Sequence, residues 1–152
     1  MALDTKYNFE VMAPIADVWE ILSDPPQIVP CLPGAKLTEK LDENTYKGEV
    51  GFRFGQVSAN FEGKVDILEM NENDHSIKLR AIGDQVGSVG QANADIDFSL
   101  KSKSEDITEI EINTSIGISG KLAHLGGGMI QSIAKFVFQR FSKSFKDMVE
   151  NS

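Results

Sequence analysis

The chain has 152 residues, is 41% hydrophobic and carries a formal charge of −8, which is long enough for one domain with a real core. No apolar run approaches the ~20 residues of a membrane span. A single cysteine, Cys31, excludes an internal disulfide and leaves no zinc-type spacing, and so acidic a chain argues against a nucleic-acid partner.

The first residues, 1–7, are polar and lack a signal-peptide core, so a cytoplasmic protein is expected. Tyr7, Phe9 and Val11 alternate with Lys6, Asn8 and Glu10, the period-two pattern of a strand wet on one side. Pro14 is well placed to open a helix, and Ile15, Val18, Trp19 and Leu22 follow at helical spacing. Asp24-Pro25-Pro26 ends that helix, a short second one runs to Cys31, and Leu32-Pro33-Gly34 turns into the next strand.

Alternation then resumes in Gly48, Val50, Phe52 and Phe54, and again in Val57, Ala59, Phe61, Val65 and Ile67. It continues in Ile77, Leu79 and Ala81, in Ala92, Ala94, Ile96, Phe98 and Leu100, and in Ile110, Ile112, Ile116 and Ile118. Phe54-Gly55-Gln56-Val57, Asn71-Glu72-Asn73-Asp74 and Ser104-Glu105-Asp106 punctuate these runs as turns. The order is strand, two short helices, about six strands and a terminal helix, with no repeat, linker or second domain, so residues 1–152 are expected to form one unit.

Residues 120–150 read as one long helix. At 100° per residue its apolar side chains, from Leu122 and Leu125 to Phe141 and Phe145, spread over roughly two-thirds of the circumference. Packing on one sheet needs a stripe of about 100° or somewhat more, so something further must cover this helix. An antiparallel sheet of about seven strands tends to curl, and a curled sheet around the helix would do so. The fold class is therefore α+β. Residues 121–152 carry 5 Lys and Arg against 2 Asp and Glu, whereas residues 1–120 carry 10 against 21. The positive helix is either a solvated face or a docking face for an acidic partner or anionic lipid.

The inward set mixes small residues (Gly48, Ala59, Ala81, Ala92, Ala94) with large ones (Phe52, Phe54, Phe61, Phe98). Two outcomes follow: a cavity of about 300–1,000 Å³ for an apolar ligand, or alanines set opposite phenylalanines in a closed core. Gly126-Gly127-Gly128 would each cost about 1 kcal/mol inside a helix. Close backbone approach to a ligand or to the 83–90 segment would compensate; the alternative is a helix that begins near Met129 after a turn over residues 121–125. The 83–90 segment itself, with three glycines, is expected to be a mobile gate.

Several short stretches keep one order along nearly the whole chain. They are Ala13-Pro14, Val18-Trp19, Asp24-Pro25, Leu32-Pro33-Gly34-Ala35, Tyr46-Lys47-Gly48, Gly55-Gln56-Val57 and Phe61-Glu62-Gly63, then Ile118-Ser119-Gly120-Lys121-Leu122-Ala123 and Leu125-Gly126. With them the chain resembles the helix-grip fold of the START and Bet v 1-like (SRPBCC) superfamily and, within it, is similar to the G-subunit family of carbon monoxide dehydrogenase. The resemblance implies a non-catalytic accessory protein of a molybdenum hydroxylase, with a hydrophobic cavity suited to a lipid or quinone and a role in assembly or membrane recruitment. It implies hydroxylase subunits as partners, peripheral contact with the inner face of the membrane, and no cofactor. Many relatives continue into a membrane-seeking extension that these 152 residues do not include.

The expected ligand contacts are Trp19 and Leu32 from the helical segment, and Phe52, Phe54, Ala59, Phe61, Leu79, Ala92 and Ala94 from the strands. Met129, Ile133, Phe136 and Val137 join them from the terminal helix. For catalysis there is little: His75 reads as a solvated turn residue, His124 as a surface or boundary histidine, and Cys31 as a small buried hydrophobe. Asp95 and Asp97 fall on the wet face. No nucleophile pairs with a base by any recognisable motif, and no metal-ligand spacing exists.

Overall fold

A computed structural model describes residues 2–151. Strand β1 (Ala2–Val11) leads into helix α1 (Ile15–Leu22), the one-turn helix α2 (Pro25–Ile28) and a 3-10 turn over Val29–Cys31. Six strands follow: β2 (Ala35–Asp42), β3 (Thr45–Phe54), β4 (Val57–Asn71), β5 (Ser76–Gln85), β6 (Gln91–Ser104) and β7 (Ile107–Ile118). A 3-10 turn over Lys121–Leu125 precedes the terminal helix α3 (Gly127–Glu150).

The strands form one antiparallel sheet in the order β1-β7-β6-β5-β4-β3-β2. Consecutive strands are joined by hairpins from β2 to β7, and the segment holding α1 and α2 carries the chain from one edge of the sheet to the other. The alternation read from the sequence appears as burial: Leu3, Tyr7 and Phe9 are half-buried while Asp4, Lys6, Asn8 and Glu10 are exposed. Register shifts near Glu39, Leu68 and Lys103 mark bulges, which add twist where the long strands bend.

The terminal helix departs from expectation. Residues 120–150 are not one helix: Gly126 at φ 84° breaks the chain, and α3 begins at Gly127. This is the alternative reading of the glycine run. Close approach to the 86–90 turn belongs instead to Gly120, where a Cβ would run into the Val89 carbonyl oxygen, while a Cβ added at Gly126, Gly127 or Gly128 would meet nothing within 4 Å. Leu122 and Leu125 therefore leave the α3 wheel. They cover a small cluster of Ala59 and Phe61, joined by Phe52, Val57, Ala92 and Ile118.

The main core lies at the other end of the sheet. Val11, Val18, Leu22, Ile110 and Phe145 are its least exposed side chains. Phe141 and Phe145 stack at 5.6 Å, and Phe9 meets Phe138, Phe141 and Phe145 edge-on. The fully buried Thr108 hydroxyl donates to the Ala13 carbonyl at 2.8 Å, so the polar group carries its hydrogen bond into the core. The Glu150 carboxylate accepts the Met12 N–H at 2.8 Å and pairs with Lys146 at 3.1 Å, tying the end of α3 to the β1–α1 link.

Candidate ligand-binding site

The site follows from where β2 stops. Pairing of β2 with β3 begins at Ala35 opposite Val50, and the Gly51 N–H donates to Gly34 oxygen at 3.0 Å. Beyond that, Phe52–Phe54 pairs with β4 on one side and has no strand on the other. Helix α3 passes this free edge and leaves a gap of about 240 Å³, lined by Phe52, Arg53, Phe54, Ile133, Phe136, Val137 and Arg140, with Pro33, Gly34 and Gly51. Phe136 meets Phe54 at 5.7 Å, and the Arg140 guanidinium lies 5.6 Å from the centre of the Phe136 ring, within cation–π range.

This geometry accounts for the breadth of the apolar arc on α3. At about 100° per residue, Phe136, Ile133 and Val137 span roughly 100°, and Ile130, Phe141, Phe145 and Val149 occupy roughly the next 100°. The second set is buried in the core, and the first is half-buried against the gap. One helix thus serves two neighbours with adjacent faces.

Of the residues expected from sequence, Phe52, Phe54, Ile133, Phe136 and Val137 come together at this gap. Trp19, Leu32 and Leu79 lie in the main core instead. Ala59, Phe61 and Ala92 belong to the cluster under the 3-10 turn, Ala94 is half-buried on the sheet, and Met129 is 38% exposed at the start of α3. A broader surface groove of about 520 Å³ runs between Pro26, Val29 and Pro30 and the β2 edge. Sequence reasoning missed Pro33, Gly34, Gly51, Arg53 and Arg140, because a free edge depends on register rather than on alternation.

The remaining candidates fall into place individually. His75, expected to be solvated, is half-buried, holds φ 51° and sets its ring edge-on to Trp19 at 5.4 Å; the turn folds back onto α1, a contact that local sequence does not signal. His124 is exposed. Cys31 is buried, and burial pushes its thiol pKa up, which suppresses the reactive thiolate. Asp95 is exposed and bound to Arg80 at 2.8 Å. Of the 83–90 segment, residues 83–85 belong to β5 and only Val86 to Gly90 form a turn. Beside that turn the Gln85 amide oxygen is buried with no hydrogen-bond partner, and such an orphan is costly unless a water or ligand satisfies it.

Among the described residues, no helix is long and apolar enough to cross a membrane, and no group of three or more His, Cys, Asp or Glu could hold a metal ion.

Residues 8–150 match the family of the carbon monoxide dehydrogenase G subunit (CoxG). The chain is similar in structure to a conserved protein from Geobacillus kaustophilus, at 23% identity, covering 99% of this chain and 97% of that one with a TM-score of 0.89. It is also similar to a START superfamily protein from Mycobacterium smegmatis (17% identity, 97% of each chain, TM-score 0.69). A third likeness is to truncated norcoclaurine synthase from Thalictrum flavum (16% identity, 98% and 94% covered, TM-score 0.69). No curated protein matches the sequence. At these identities the structural likenesses establish the fold, which is the helix-grip fold expected from the order of elements.

Proposed function

The chain belongs to the CoxG family, that of the carbon monoxide dehydrogenase G subunit, and from that membership we propose that it is a non-catalytic accessory protein of a molybdenum hydroxylase that carries an apolar small molecule, a lipid or a quinone. The observation that carries this reading is the gap between the free edge of β3 and α3, walled by Phe52, Phe54, Ile133, Phe136 and Val137. Its volume of about 240 Å³ is a little below that of usual ligand pockets, which suits a compact apolar group or the end of a longer chain. Nothing lining it is a carboxylate, histidine or cysteine, so the gap offers no group for acid–base or nucleophilic work. That separates it from an enzyme site, although an enzyme such as norcoclaurine synthase has a similar fold.

The test is extraction of the protein purified from its native host, followed by mass spectrometry. Recovery of a lipid or quinone in stoichiometric amount, lost in an Ile133→Trp variant that fills the gap, supports the carrier reading. An empty protein that also fails to take up any added apolar ligand overturns it.

A second reading, an assembly factor acting by protein contact, draws on Lys121, Lys135 and Lys143. All three are exposed and, among the described residues, lie within 4.0 Å of no carboxylate. Lys146, by contrast, is engaged by Glu150 and the Glu10 carbonyl. Reversing Lys135 and Lys143 to glutamate should then abolish recovery of the hydroxylase in pull-down, and unchanged recovery rejects this reading.

A further inference from the structure

The chain holds three arginines among 15 cationic side chains, set against 23 acidic ones. Arg80 is bound by Asp95. The other two, Arg53 and Arg140, both line the gap, and among the described residues neither lies within 4.0 Å of a carboxylate. In so acidic a protein, two unpaired arginines at one apolar opening call for an explanation.

Arg140 stands where the gap-facing side of α3 turns from apolar to polar. At about 100° per residue it falls between Phe136 and Ile133, at the end of the apolar stretch that faces the gap and one turn before the exposed Ser144 on the same side. Its guanidinium is held over the Phe136 ring at 5.6 Å, and Phe136 is itself set against Phe54. That contact favours one placement of an otherwise exposed side chain, which lowers the entropy lost when it engages a partner.

Arg53 contributes through its backbone. The Gly51 N–H points to the β2 side, where it reaches Gly34 oxygen. Residues two apart on an antiparallel strand aim their N–H groups to the same side, so the Arg53 N–H points past the end of β2 toward the gap. The opening thus offers a backbone donor on one wall and a guanidinium on the other, with no acid between them.

Resting on the carrier reading above, we propose that the gap selects an amphiphile with a single carboxylate head, held at the mouth by Arg140 and the Arg53 N–H, with its apolar body against Ile133, Val137 and Phe52. A planar carboxylate accepts two parallel N–H bonds from a guanidinium. The volume of about 240 Å³ is near the lower end of ligand pockets, which suits a medium-length chain. A carboxylic acid of ordinary pKa is ionised at neutral pH, so head and site are complementary in charge. The opposing explanation is that the arginine stem merely covers apolar surface while its head stays in water.

Isothermal titration of the full chain with decanoate and with 1-decanol, at neutral pH and low salt, separates these. The wild type should bind decanoate about tenfold more tightly than decanol, the scale of a charge-assisted hydrogen bond. Arg140→Gln should remove that preference and leave decanol binding unchanged, and Arg140→Lys, which keeps the charge without the fork, should retain part of it. Lys64→Gln, exposed on β4 and outside the gap, should alter neither affinity. Equal binding of the two ligands by the wild type, or an equal loss in Lys64→Gln, overturns the carboxylate assignment and leaves the carrier reading standing. Failure of both ligands to bind overturns the two together.

Discussion

From Phe138 to Val149, α3 is gripped by Phe9, Phe98 and the first helices, and Phe145 and Val149 are 0% and 4% exposed. From Met129 to Val137 the same helix runs beside a bare strand edge, with Met129 38% exposed. The difference arises from chain routing. The link from β1 to β2 places α1 and α2 under one end of the sheet only, and the far end has a single 3-10 turn as cover. One half of the helix anchors the fold, which frees the other half to line an opening.

The sharpest way to break this contrast is to truncate one residue from each half. Phe145→Ala removes a fully buried ring and should cost about 3–5 kcal/mol, lowering the midpoint of thermal unfolding by on the order of 10 °C at this chain length. Ile133→Ala, half-buried at the gap, should cost about 1 kcal/mol. Equal losses in calorimetry would show that the open half is packed like the closed one.

Two glycines sharpen the boundary between the halves. Gly120 sits at φ 83° and ψ −153° with the Val89 carbonyl oxygen in the way of any Cβ, so Gly120→Ala should cost about 2–3 kcal/mol. Gly127 lies in the first turn of α3, where an added Cβ would meet nothing within 4 Å. Gly127→Ala should therefore stabilise the protein by about 0.4–1 kcal/mol, through the lower entropy of the unfolded chain. Urea midpoints check both signs; a destabilised Gly127→Ala would mean that the start of α3 touches something.

These residues also show what sequence carries and what it does not. Strands from β3 to β7 were legible because one face of each is wet, so period two survives along their length. The next strand expected after Gly34 is β2, which was legible mainly from that turn: Ala35 and Leu37 alternate, and then a bulge after Leu37 breaks the parity on an exposed edge. Leu122 and Leu125 continue the spacing of α3, so only the backbone angle at Gly126 reveals that they belong elsewhere. Apolar wall residues such as Phe54 and Ile133 could be named in advance because alternation and helical spacing place them inward. That Phe52–Phe54 lacks a strand on one side is a matter of register, and no local pattern encodes it. Arg140 left no such signal either, because Ser144 and Asp147 follow it on the same side of the helix.

The mildest test concerns how the closed half is tied down. The Met12 N–H, and after it the Lys146 ammonium, hold the Glu150 carboxyl below its ordinary value of 4.5, against the opposing effect of partial burial. A carboxyl whose pKa is lowered on folding contributes stability that is fully present above the unfolded value and is lost as pH falls through the folded one. Glu150→Gln keeps an acceptor for the Met12 N–H and removes only the charge. The wild type should thus be slightly more stable than Glu150→Gln at neutral pH. That gap should shrink as pH falls below 4.5 and vanish once the folded-state carboxyl is itself protonated, read from urea midpoints at each pH. Ion pairs elsewhere, such as Lys103 with Glu109, are common to both proteins and cancel in the difference. Ligand uptake at the other end of α3 should be identical in the two proteins, since this clamp serves only the anchored half. A difference in stability that stays constant with pH would show that the Met12 contact owes nothing to charge.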